Sequence, residues 1–326
     1  MNTTRRRTLG AALGAAALGT LPTRGHAQAY PARPLTMVVP YPPGGSADLL
    51  ARTVQIRLSA NLGQQVVIEN RAGAGGSIGA AYVAKSAPDG YRFLLATQPI
   101  ITINQHLQKD MGFDPLKDLT PLTNGVNAVV GIAVSSSVPV QNLAELIAWG
   151  RKNPGALTYG SAGTGSPQHI GGAMLAQRTQ MQMTHVPYKG GGPMLVDLLA
   201  GHVKLGIATL SVFRPFANDG RIKVLAIGEK ARFPAAPEIP TIAESVPNFE
   251  LTTWLGFYGP GSMPADITRT LAGELVKALK ADEVRAKLAD AGLLVAADGP
   301  EALGALGRSE FELYGRIIRD NRISME

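Results

Sequence analysis

The chain has 326 residues, 45% of them hydrophobic and 17% charged, and no cysteine. That excludes a disulfide-stapled miniprotein and a disordered polyelectrolyte, and it leaves a core-forming chain with room for two domains. The net charge is +7, but the four arginines of residues 1–29, unaccompanied by acids, leave only +3 on the remainder. No basic stripe interleaves with aromatics, so nucleic-acid binding has no support, while mild positive charge favours anionic solutes.

The first 29 residues read as an export signal. Arg5, Arg6 and Arg7 form a positive start, residues 9–21 an apolar run, and Ala27-Gln28-Ala29 a small-residue cleavage site before Tyr30. The arginines approach a twin-arginine signal, although Thr8 stands where an aromatic is usual. The alternative is an uncleaved anchor, but the apolar run falls short of the ~20 residues that span a bilayer. Cleavage after Ala29 and a periplasmic address are expected.

Next come Leu35-Thr-Met-Val-Val39, an apolar β-branched strand, the turn Pro42-Pro43-Gly44-Gly45-Ser46-Ala47-Asp48, and a helix marked by Leu50, Val54 and Leu58. Ser46 reads as that helix's N-cap. The two glycines leave main-chain N–H groups bare at a positive helix end, a place for an anion that needs no basic side chain. Strands follow at 65–70, 91–97, 127–134, 157–160, 183–186, 204–209, 222–227 and 251–258. Helices are expected at 77–86, 142–153 (capped by Asn142), from Ser166, and near 194–200. A proline-rich connection covers 233–247, and three helices close the chain at 265–280, 282–291 and 300–320. Strand–helix alternation of this kind means an α/β fold with mostly parallel sheets. The pattern of strand end, glycine-rich loop and helix start recurs at 73–77, 160–166 and 190–193. In open α/β sheets the ligand lies where such loops collect. Any one of these loops is equally a plain tight turn; the recurrence is what points to binding.

The motifs together resemble the Bug-type periplasmic receptors of tripartite tricarboxylate transporters, related to TctC. The matching segments are Pro34-Leu-Thr-Met-Val-Val-Pro-Tyr-Pro-Pro-Gly-Gly-Ser-Ala-Asp48, Val67-Ile-Glu-Asn-Arg-Ala-Gly-Ala-Gly-Gly76, and Ala87-Pro-Asp-Gly-Tyr91. They continue with Tyr159-Gly-Ser-Ala-Gly-Thr-Gly-Ser166, His185-Val-Pro-Tyr-Lys-Gly190 and Pro240-Thr-Ile-Ala-Glu-Ser245. Each is short, but in this order they cover nearly all of the chain after residue 29. The resemblance implies a two-lobed clamp of the periplasmic-binding-protein type, with residues 30–130 plus 254–326 as lobe one and 131–253 as lobe two. It implies a monomer that delivers a small carboxylate to membrane transporter subunits, with no cofactor and no nucleic-acid partner. It places the ligand against Tyr41, Gly44, Gly45, Ser46, Asp48 and Thr97 from lobe one. From lobe two it adds Ser161, Ala162, Gly163, Thr164, Gly165, Ser166, His169 and Thr209.

Asp48 and His169 have plainer readings, as a dipole-complementing carboxylate and a packed helix-start histidine, and Lys189 reads as a solvated lysine. The chain departs from the family pattern at Gln98-Pro-Ile-Ile101 and Ala208-Thr-Leu-Ser211, which are more apolar than usual there. The expectation is an apolar cleft wall suited to a hydrophobic or aromatic carboxylate. The rival class is a secreted α/β hydrolase, an esterase using Ser77, because Gly75-Gly-Ser-Ile-Gly79 fits G-x-S-x-G. Against it, Arg71–Ala74 intervene after the strand, where a nucleophile elbow turns sharply. The G-x-G-x-x-G run from Gly73 fails at Ile78, and the scattered histidines lack metal-ligand spacing.

Overall fold

The computed structural model describes residues 30–217 and 220–320; the segment read as an export signal, residues 1–29, lies outside them. In chain order the elements are β1 Leu35–Val39, α1 Ser46–Leu62, β2 Val66–Asn70, α2 Ser77–Ala84, β3 Arg92–Thr97, α3 Gln98–Thr102, α4 Asn104–Leu107 and β4 Leu119–Ser135. Then come α5 Leu143–Lys152, β5 Leu157–Ser161, α6 Pro167–Thr179, β6 Met183–Pro187, α7 Gly191–Ala200, β7 Leu205–Thr209, α8 Leu210–Phe213 and β8 Ile222–Ile227. The chain closes with β9 Thr252–Pro260, α9 Ala265–Lys280, α10 Asp282–Asp290, β10 Leu293–Asp298 and α11 Pro300–Asp320.

One long strand organises the sheet. The first part of β4, Leu119–Val129, pairs antiparallel with β9, and β10 adds at Asn124–Ala128. Its last part, Val130–Ser135, pairs antiparallel with β7 and β8. The strand order β2-β1-β3-β9-β4-β7-β5-β6 thus has two halves joined through β4. The outer strands of each half are parallel, β1 with β2 and β3 and β5 with β6 and β7, as helical crossovers require. The centre is antiparallel because β4 and β9 run between those parallel sets, so the sheet is mixed. From Arg33 onward the chain forms one compact unit.

Each half has its own apolar core. Val38, Leu94, Ala96, Ile100, Ile101, Trp254, Tyr258 and Leu303 pack together in the first. Val130, Ile132, Leu157, Leu175, Leu205, Ile207 and Phe249 do so in the second. Some features escaped the sequence reading. Residues 98–107 form two short helices where a loop was expected, β4 starts at Leu119, and β10 is an extra strand. Pro121 and the polar Thr120, Thr123 and Asn124 hide the start of β4; what fixes it there is pairing to β9.

Leu50 faces the first half from α1 and is fully buried. Leu50→Ala should lower unfolding free energy by about 2–5 kcal/mol, seen as a lower urea midpoint with unchanged slope.

Candidate functional site

Three helix starts meet at the junction of the two halves. α1 begins at Ser46 with Gly45 as its N-cap and no side-chain cap, so Ser46 is the first helical residue and not the cap. The N–H groups of Ser46 and Ala47 have no partner among the described residues. α6 starts as the sequence predicts: Ser166 Oγ accepts from His169 N at 3.1 Å, and Pro167 takes the first helical position. α7 begins at Gly191, and a Cβ on Gly192 would stand 3.1 Å from the carbonyl oxygen of Pro43. Only glycine lets the 190–192 turn approach the 43–45 turn so closely.

The cleft they face has a cavity volume of about 70 Å³ and opens to solvent. Of the residues that the resemblance names, Tyr41, Gly45, Ser46, Thr97, Ala162, Gly163, Thr164, Ser166 and Thr209 line it. Gly44, Asp48, Ser161, Gly165 and His169 do not line it: Asp48, Ser161 and Gly165 are buried behind it, His169 is half-buried, and Gly44 is exposed to solvent. The Asp48 carboxylate accepts from Gly44 N (3.2 Å), Arg52 Nε (2.9 Å) and Asn70 Nδ2 (3.3 Å), so it braces its own turn. Burial pushes its pKa up, but those three donors outweigh burial and hold it below the ordinary value. Ser161 Oγ and His169 Nδ1 serve as acceptors for Gly163 N and Gly165 N, each at 3.1 Å. In this loop the N–H groups of Ala162 and Thr164 therefore stay unpaired among the described residues.

Tyr41 ties two turns together. Its hydroxyl lies 2.8 Å from Thr97 Oγ1 and donates to Gly75 O at 3.2 Å. Burial pushes its pKa up to about 12, against the lowering effect of the Thr97 bond, so it works as a neutral donor. No charged side chain among the described residues lines the cleft. Its polarity is main-chain N–H, hydroxyl and amide, which can hold an anion without a salt bridge.

The sequence profile described as "Tripartite tricarboxylate transporter family receptor" matches residues 50–323. The chain belongs to that family. Protein BugT of Bordetella pertussis is 32% identical over 90% of this chain and 91% of its own. A Rhodopseudomonas palustris protein solved with adipate is 34% identical, covers 91% of this chain and 100% of its own, and superposes with a TM-score of 0.87. MatC from the same species, with bound malate, is 29% identical over 89% of this chain and 100% of its own, with a TM-score of 0.82.

Residues that the sequence reading missed also line the cleft. Gly190, Gly191 and Gly192 line the cleft, foreshadowed by the recurrent glycine-loop-to-helix pattern; Asn104, Gln168, Trp254 and Leu255 had no such signal. Trp254 donates its indole N–H to Glu310 Oε2 at 2.7 Å, so it offers the cleft carbon surface only. The apolar wall expected from Ile100, Ile101, Ala208 and Leu210 is not there. All four are buried: Ile100, Ile101 and Leu210 because 98–102 and 210–213 coil into short helices, and Ala208 because it lies within β7. Pro99, from the first of the expected segments, supplies apolar surface together with Pro167, Trp254 and Leu255. Lys189 borders an adjoining cavity and not the cleft itself. Ser77 is buried at the start of α2, accepting from Asn104 Nδ2 at 3.1 Å. The recorded bonds of His106, His169, His185 and His202 all go elsewhere.

Asp48→Ala would leave the N–H of Gly44 without its acceptor and should cost about 1–3 kcal/mol of stability, measured by urea unfolding near neutral pH. Because the folded carboxyl titrates below its ordinary value of 3.8, this contribution is complete above that value and is lost as pH falls through the folded one. The wild type and variant should therefore converge in acid.

Proposed function

We propose that this receptor captures a small carboxylate-bearing solute in the cleft and presents it to the membrane subunits of a tripartite tricarboxylate-type transporter. The observation that carries the reading is an uncharged cleft faced by the N-termini of α1, α6 and α7. A carboxylate there would accept from the N–H groups of Ser46, Ala47, Ala162 and Thr164 and from nearby hydroxyls. Each charge-assisted bond contributes about 1.5–3 kcal/mol and each helix start about 0.3–1 kcal/mol. Micromolar affinity needs about 8 kcal/mol, so a few such bonds suffice without a cation.

The carbon surface of Trp254, Leu255, Pro99 and Pro167 favours a ligand with an apolar body, of which adipate in a structural neighbour is an instance. Malate in another neighbour keeps shorter hydroxy acids in the panel. In this reading residues 30–130 with 254–326 and residues 131–253 act as the two lobes, closing as a monomer on the solute. Export follows the N-terminal signal, with the mature chain starting at Tyr30. The receptor binds its ligand without transforming it, and needs no cofactor.

Titration calorimetry with adipate, terephthalate, malate and citrate should give micromolar binding to at least one, tightest for the acids with an apolar body. Binding of none, with native mass spectrometry of protein from its own host showing no co-purified carboxylate, would refute the proposal. Ser166→Ala should weaken binding and also lower stability by about 1 kcal/mol, because Ser166 caps α6.

A further inference from the structure

The 161–166 wall is held from behind by two histidines. His169, in the first turn of α6, and His185, on β6, stack with ring centroids 3.9 Å apart and planes inclined by 16°. Gly165 N–H donates to His169 Nδ1 at 3.1 Å. A main-chain N–H can only donate, so Nδ1 carries a lone pair and the ring proton sits on Nε2. A second proton would have to enter at Nδ1, the atom Gly165 occupies. His185 Nε2 lies 2.7 Å from Ser161 Oγ, the same oxygen that accepts from Gly163 N. Both ends of the loop are thus tied to one imidazole stack.

We propose that His169 and His185 are positioning residues: as a neutral pair they hold the 161–166 loop in its ligand-receiving shape, and a proton on His169 Nδ1 frees Gly165 and releases the ligand in acid. The ligand half of this statement rests on the cleft being a carboxylate site; the loop half does not. The groups facing the pair are few. Tyr159 on β5 lies 5.0 Å from His185, ring centre to ring centre, and donates its hydroxyl to His169 O at 3.2 Å; Ser161 ends the same strand. Among the described residues, no carboxylate, lysine or arginine pairs with either imidazole. A proton therefore meets no counter-charge and a stacked neighbour. Burial lowers the pKa of His169, and burial together with the adjacent His169 lowers that of His185 to about 4. Both shifts favour the neutral pair, so the loop is fully held above the ordinary histidine value of 6.5 and loosens as pH falls from there toward 4.

Imidazole nitrogen NMR of the ligand-free wild type from about pH 8 to 4 tests the loop half directly. His169 should show an unprotonated Nδ1 and titrate below the ordinary histidine range. A proton on Nδ1 at neutral pH, or ordinary titration, would overturn the proposal whether or not any acid binds. The ligand half is tested by calorimetry with adipate on the wild type and His169→Asn, whose side-chain carbonyl can accept from Gly165 but does not titrate. Between about pH 7.5 and 4.5 the wild-type affinity should fall at least about two-fold more than that of the variant. Protonation of adipate is common to both proteins and cancels. Equal pH dependence would overturn the release step. If adipate binds neither protein, the carboxylate reading loses support while the imidazole spectra still decide whether the stack holds the loop.

Discussion

The unpaired N–H groups at the starts of α1, α6 and the loop before it set the polarity of the cleft, and much of the molecule serves to hold them in place. Such groups are costly to leave bare in a dry interior and useful at a surface that meets an anion. The receptor manages this by spending some amides internally. Gly44 N goes to Asp48, Gly163 N to Ser161 and Gly165 N to His169. The amides between them, at Ser46, Ala47, Ala162 and Thr164, are left for the cleft. Each turn is made rigid by the donors that do not face inward.

That division explains what could be read in the sequence. The strand-turn-helix units at 42–48 and 160–166 were legible because glycine, proline and a capping serine have strong local meanings. Which residues within them face the cleft was not legible. Asp48 and His169 fall on the same short segments as Ser46 and Ser166, and only the fold separates brace from surface. The α7 start at Gly191 carried the same local signal and was visible as a pattern. Trp254 and Leu255 carried none: they lie on β9, far along the chain, and reach the cleft because β9 pairs with both β3 and β4.

Fold class was legible from alternation alone, as were β9 and the second half of β4 as strands, while the start of β4, β10 and the antiparallel pairing at the sheet's centre were not. Parallel strands with helical crossovers leave a periodic mark, so β1–β3 and β5–β7 were found with small boundary errors. The antiparallel β4, β9 and β10 depend on pairing partners distant in sequence. Pro121 falls inside β4 and Ala297 inside β10 at positive φ, where local preference argues against a strand. Tertiary pairing overrides that preference. The same override turned Ile100 and Leu210 from expected cleft wall into core.

The Trp254–Glu310 bond has an optical consequence. The chain has two tryptophans, and Trp149 sits on α5, packed against the core of the second half. Trp254 alone of the two borders the cleft, with its indole N–H already bound to a carboxylate of α11. Indole emission responds to nearby charge and to access of water. This receptor therefore carries its own fluorophore in the wall of its cleft, anchored to α11.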